Sequence, residues 1–158
     1  YRNISIREMQ KVINITKELN KLFPNEIRPL IVANIGGFSM DKRIKSKYKK
    51  DYYQRFSKSL NQLSKKGVEI IPQTMAPFPW HFGGQRYQNL FVLPEEIVEN
   101  CKSLNIRMCL DVSHSMLTCN YFNIDFYDFI EKIAPYTAHI HMGDAKGVNG
   151  AAVAHRKA

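Results

Sequence analysis

The 158-residue chain has no run of about 18 apolar residues, the length that a membrane-spanning helix needs. It also lacks a charged opening followed by an apolar stretch, so no signal peptide is expected. It opens on Tyr1 and not on Met, which points to a fragment or a processed product. Cysteine is scarce: Cys101, Cys109 and Cys119 form no CxxC pair. Neither a disulfide framework nor a structural zinc knot is expected, and a reducing cytoplasm fits the usage. No glycine-rich phosphate fingerprint follows any apolar run, Gly36-Gly37 being the nearest thing to one.

Acids are few beside bases, 14 against 23, for a net charge of +9. Most of the excess sits between Asp41 and Lys66, where ten Lys or Arg face two Asp. A solvated loop and helix face explains such a run. A rim that attracts phosphate, on a substrate or a nucleic acid, explains it as well. Charge alone does not choose between them.

What is present is an alternation of helical and continuous apolar segments. Ser5 and Glu8 have capping-box spacing, and Ile6, Met9, Ile13, Leu19 and Leu22 follow at helical intervals until Pro24 and Asn25. Leu30 to Ala33 is apolar throughout, as in strands buried on both faces of a parallel sheet. A second helix is expected over Lys49 to Lys66, with Gly67 as its cap, and Val68 to Ile71 is a second strand. Pro94-Glu95-Glu96 opens a third helix that closes at Asn105. Ile106 to Leu110 is a third strand, Asn123 to Ala134 a fourth helix and Thr137 to His141 a fourth strand.

Strand starts near 30, 68, 106 and 137 recur at intervals of 31 to 38 residues. A barrel of roughly 250 residues built from eight units has a period of about 31. The fold class is therefore α/β, a partial (β/α)8 TIM barrel of about four consecutive units. Residues 1–150 form that unit, and 151–158 read as a tail of different character.

In such folds chemistry sits at the C-terminal strand ends. That rule selects Asn34, Gln73, Asp111, His114, His139, His141 and Asp144. Asp111 ends a strand, and His114 follows three positions later on the outgoing loop. An oxygen and an imidazole nitrogen placed in this way suit Mn²⁺, Zn²⁺, Co²⁺ or Mg²⁺. An Asp capping the next turn beside a surface His is the plainer alternative. His139 and His141 share a strand face about 6.5 to 7 Å apart, so His141 is the better ligand and His139 a packed or supporting residue. Asp144 could orient a ligand or bind substrate. Gln73 ends the second strand with an amide, a poor metal ligand that cannot act as a base. The long segment from Pro72 to Leu93 carries Trp80, in an aromatic run that could wall a sugar pocket, and Arg86, a candidate for an anionic group.

Three stretches together resemble the xylose-isomerase-like TIM barrels: Gly67-Val68 through Gln73-Thr74, Asp111-Val112-Ser113-His114, and His139-Ile140-His141-Met142-Gly143-Asp144-Ala145-Lys146. That superfamily includes sugar-phosphate isomerases and epimerases and endonuclease IV-type enzymes. The resemblance implies a divalent metal held by Glu, Asp, His and a last Glu. Asp111 and His141 take the middle two places, with His114 as a further ligand or substrate contact. The first Glu falls on Gln73, which leaves that catalytic position without an acid. A His of the endonuclease branch falls on Asn34, and no acid stands at the last Glu position. The resemblance therefore implies a metal-using sugar or sugar-phosphate isomerase- or epimerase-like domain, incomplete or degenerate as it stands. Its partners are a small sugar and a second barrel half or another copy, with neither membrane nor nucleic acid expected. An endonuclease IV-like phosphodiesterase is one alternative. A non-catalytic barrel module of a sialic-acid-synthase-like enzyme is another, suggested by the run from His141 to Gly147.

Overall fold

The computed structural model describes residues 1–23, 28–40, 42–77 and 87–147. Four helix-connected strands carry the architecture: β1 (Leu30–Ala33), β3 (Glu69–Pro72), β5 (Met108–Asp111) and β6 (Thr137–His141). β1 pairs in parallel with β3, Leu30 opposite Glu69, and β5 with β6, Asp111 opposite His141. A parallel bridge between Gln73 and Cys109 joins the two pairs. There the amide of Gln73 donates to Ala33 O at 3.1 Å and that of Thr74 to Cys109 O at 3.0 Å. Spatial order thus follows chain order, as in consecutive units of a (β/α) barrel. A short antiparallel pair, β2 (Phe38–Ser39) with β4 (Tyr87–Gln88), lies in the connecting segments.

The helices are α1 (Arg2–Asn20), α2 (Ser46–Leu60), α3 (Pro94–Leu104), α4 (Val112–Phe122) and α5 (Phe126–Ile133), the last running into a 3₁₀ turn, Ala134–Tyr136. Their buried stripes, including Ile13, Phe56, Leu60, Ile97, Cys101, Phe129 and Ile133, pack with the strand residues Ile31, Ile70 and Met108 and with Val68 just before β3. Phe91 is buried among them, edge-on to Tyr53 and Phe56 at 5.5 and 5.7 Å. Its backbone N–H donates to the Tyr53 hydroxyl at 2.9 Å. At the head of α3, Glu96 reaches back to accept from the amides of Val92 and Leu93 at 3.0 and 3.2 Å. Asn105 closes that helix in the left-handed region, as expected.

Several local expectations are corrected. α1 already starts at Arg2, so Ser5 lies within it and its hydroxyl donates to Tyr1 O at 3.4 Å. Glu8 pairs with Lys11 at 3.0 Å and caps nothing. Pro24 and Asn25 lie outside the described residues, and α1 ends before them. α2 ends at Leu60 with Asn61 as its cap, and Gly67, at φ +88°, turns the chain into β3. The segment after β5 is not a loop: α4 begins at once, and the helix expected over 123–134 is the shorter α5. Polar Ser113, His114, Ser115 and Thr118 interrupt the apolar periodicity that would have marked α4. The tail 151–158 is outside the described residues.

Candidate active site

The site starts from Asp111, the last residue of β5 and the N-cap of α4. A carboxylate is a preferred cap because it accepts from amides that the first helical turn leaves unpaired. Asp111 Oδ1 accepts from His114 N–H at 3.0 Å and from the Ser113 hydroxyl at 2.7 Å. Oδ2 meets three other side chains. Gln73 Nε2 approaches it at 3.2 Å, His114 Nδ1 at 3.6 Å and His141 Nδ1 at 3.7 Å. Asp111 is 8% exposed and Gln73 7%, so these two meet with little water between them, whereas the His141 side chain is 42% exposed.

Strand pairing explains the meeting. Asp111 and His141 are register partners, and Gln73 extends β3 alongside β5. His114 sits in the first turn of α4, within reach because three residues of helix fold it back over its own cap. The sequence-selected group Gln73, Asp111, His114 and His141 is thus brought together at three adjacent strand ends.

Thr74, which sequence reasoning did not select, organises the group. It is 1% exposed. Its hydroxyl accepts from Asp111 N–H at 2.8 Å and from Ser115 Oγ at 3.1 Å, and its carbonyl meets His114 Nδ1 at 2.9 Å. A carbonyl only accepts, so Nδ1 carries the proton and Nε2 is the ring nitrogen left for a ligand. The available signal was a hydroxyl residue directly beyond an apolar strand, beside the polar Gln73.

Other selected residues stand elsewhere. His139 is exposed, not packed, with its ring edge-on to His141 at 5.2 Å between centroids. β6 pairs with β5 alone among the described strands, which leaves this part of its surface open. Asp144 is exposed, and its carboxylate accepts from Ala145 N–H at 2.8 Å. Asn34 follows β1 and lines a separate cavity of about 600 Å³ between α1 and α2, with Arg2, Tyr52 and Arg55. Trp80 and Arg86 lie outside the described residues. Beside the group, burial first and then the Asp111 carboxylate push the Cys109 thiol up to about 11.

Among the described residues, no set of three His, Cys, Asp or Glu is arranged to hold one metal ion. Asp111 Oδ2 and His141 Nδ1 fit as two donors to a common divalent ion, since 3.7 Å can be spanned by two bonds of about 2.1 Å. His114 Nδ1 does not join them, being committed to Thr74.

Consecutive parallel β/α units with polar groups converging at their C-terminal ends define part of a (β/α) barrel. The family model described as the xylose isomerase-like TIM barrel matches residues 1–158, and the chain belongs to that family. Comparison with curated proteins finds no match. Among solved structures the chain is similar to a D-tagatose 3-epimerase-like protein, at 18% identity and TM-score 0.63, over 92% of this chain and 50% of that one. It is similar to a xylose isomerase domain protein from Planctomyces limnophilus, at 15% identity and TM-score 0.56, over 91% and 44%. A third is the probable 3-DHS dehydratase AsbF of petrobactin synthesis from Bacillus anthracis, at 13% identity and TM-score 0.54, over 80% and 41%. Such identities show the fold alone. The chain spans half or less of the length of these structures. No helix among the described residues is long and apolar enough to cross a membrane.

Proposed function

We propose that the chain supplies half of an isomerase- or epimerase-type barrel acting on a sugar or sugar phosphate with the help of a divalent cation. One observation carries this reading. Asp111 Oδ2 has the Gln73 amide, the His114 ring and the His141 ring within 3.7 Å of it, all at the ends of neighbouring parallel strands. The names of the neighbouring structures support the same reaction class.

In this reading Asp111 and His141 hold the cation. When bound, it would polarise a substrate carbonyl or hydroxyl oxygen. His114, fixed by Thr74 with its Nδ1 proton inward, presents Nε2 to a substrate hydroxyl. Trp80, Arg86 and Asp144 are assigned to the substrate, as apolar wall, anion contact and polar contact in turn. Gln73, the counterpart of an acid in the family resemblance, carries no exchangeable proton of the required acidity and takes no part as acid or base.

The test is proton exchange. With Mn²⁺ and a panel of ketoses, aldoses and their phosphates in deuterated water, the carbon-bound hydrogen next to the carbonyl should be replaced by deuterium, the unprotonated His114 Nε2 taking the proton and returning a deuteron. NMR detects this, and Asp111→Ala should abolish it. Binding of none of the panel, and exchange in none, would contradict the proposal.

A further inference from the structure

The cavity between α1 and α2 is separate from the strand-end group. It measures about 600 Å³, and none of Gln73, Asp111, His114 and His141 lines it. Its floor is apolar, with Ile6 and Met9 from α1, Phe56 and Leu60 from α2 and Ile70 from β3. Phe56, Leu60 and Ile70 belong to the buried core. Gly36, in the loop after β1, closes against Leu90, and both line the cavity. At φ +94° Gly36 has a backbone that a side chain would strain, and a Cβ there would stand 2.5 Å from Leu90 Cγ.

The charged side chains of the lining carry one sign. Arg2 and Arg55 are present, and no Asp or Glu is. Arg2 Nε–H donates to the Ser59 hydroxyl at 2.9 Å, and that hydroxyl donates to Arg55 O at 2.7 Å. Ser59 stands one helical turn beyond Arg55, so both cations belong to the same side of the cavity. The Arg55 guanidinium lies 5.4 Å from the centre of the Tyr52 ring. Among the described residues neither arginine forms an ion pair, whereas Lys49 pairs with Glu96 and Arg107 with Glu69. Two cations beside an apolar concavity without an acid attract an anion.

A ligand for this place needs an apolar body and one anionic head. A sugar phosphate is unsuited, because its hydroxyls would leave water for Ile, Met, Phe and Leu side chains that offer no partner. A carboxylate suits the paired N–H groups of a guanidinium. The volume lies within the range of small-molecule pockets, roughly 300–1,000 Å³. We infer that the α1–α2 cavity binds a medium-chain carboxylate, with the alkyl chain on the floor and the head at Arg2 and Arg55. This site is independent of the cation at the strand ends. Asn34, which its strand-end position singles out in the sequence, belongs to it.

Met9 supplies the reporter, because it lines the cavity while Met75 and Met108 are buried elsewhere. The full chain is labelled at its methionine methyl groups, and Met9→Leu identifies the Met9 signal by NMR. Titration with decanoate should move that signal saturably and leave Met108 in place. From octanoate to dodecanoate, affinity should rise about fourfold for each added methylene. Decanol has the same chain without the charge and should bind roughly tenfold more weakly. Arg2→Gln combined with Arg55→Gln changes two exposed positions. It should weaken decanoate binding by roughly tenfold and leave decanol binding unchanged.

No response of Met9 to decanoate at millimolar concentration would overturn the inference. Equal decanoate affinity in the parent and the double variant would remove the role of the arginines, and affinity that ignores chain length would remove that of the floor. A Met9 signal that moves with protein concentration alone, and not with decanoate, would give the cavity to a second copy of the chain instead.

Discussion

The Thr74 hydroxyl lies between two strand ends, accepting from Asp111 N–H and from Ser115 Oγ, and the residue is buried. Thr74→Val keeps the shape and leaves both donors unpaired, and Thr74→Ser restores the oxygen. Burying an unpaired polar group costs about 1–3 kcal/mol, so Thr74→Val should lower unfolding free energy by that amount and Thr74→Ser by much less. Urea denaturation of the three proteins checks this. The thiols give a second expectation at the same scale. Burial pushes Cys101 up to about 12 and is the leading cause that pushes Cys109 and Cys119 up to about 11. Iodoacetamide at pH 8 should therefore leave all three unmodified in the native protein and label all three in urea, as read by mass spectrometry. Labelling of the native protein at pH 8 would show that these thiols are accessible. The residues that carry charge or metal-binding capacity, Asp111, His114 and His141, were legible in the sequence because they interrupt or end apolar runs. Thr74 and Ser113 were not, since a hydroxyl carries no chemistry that spacing alone reveals, and their roles depend on contacts across the sheet.

β3 and β5 are tied at their N-terminal ends by Glu69 and Arg107, with bonds of 2.9 and 2.7 Å. The hydrogen bond from Arg107 holds the Glu69 carboxyl below its ordinary range. A carboxyl with a lowered folded pKa contributes stability above the unfolded value of about 4.3, and loses it as pH falls through the folded value. Arg107 is half exposed, so the contribution is under about 1 kcal/mol. Arg107→Ala should therefore reduce stability near pH 7 by that small amount and leave stability near pH 2 unchanged. Thermal unfolding across pH measures the difference, and an equal loss at both pH values would contradict it. At this scale the parallel strands were readable as apolar runs, to within two residues of their observed starts. α4 was not, because its inward face carries Ser113, Ser115 and Thr118, which bond across to neighbouring groups instead of forming an apolar stripe. The start of α1 was misread because Ser5 and Glu8 have capping spacing, yet the helix extends one turn further toward Tyr1.

Among the described residues the four parallel strands stand in chain order, and β1 and β6 each have one unpaired edge. On the α1 side, Ile4, Val12, Ile15, Leu19 and Leu22 are exposed, and on the β6 side Ile140 and Met142. Exposed apolar stripes and unpaired strand edges both favour association. Pairing with a second copy would cover both sides at once, and light scattering at micromolar concentration should then give twice the chain mass. A well-behaved monomer would contradict it. The same whole-molecule view bears on the site, because a cation bound at the strand ends would lie at the mouth of the completed barrel.

The proposed reaction depends on whether a cation comes to rest where β5 and β6 end together. Diffraction from crystals grown with Mn²⁺, recorded near its absorption edge, shows the ion without reference to any substrate. The expected result is an anomalous peak between Asp111 Oδ2 and His141 Nδ1. A saturating Mn²⁺ concentration that leaves this place empty, or puts the peak elsewhere on the chain, would contradict the account.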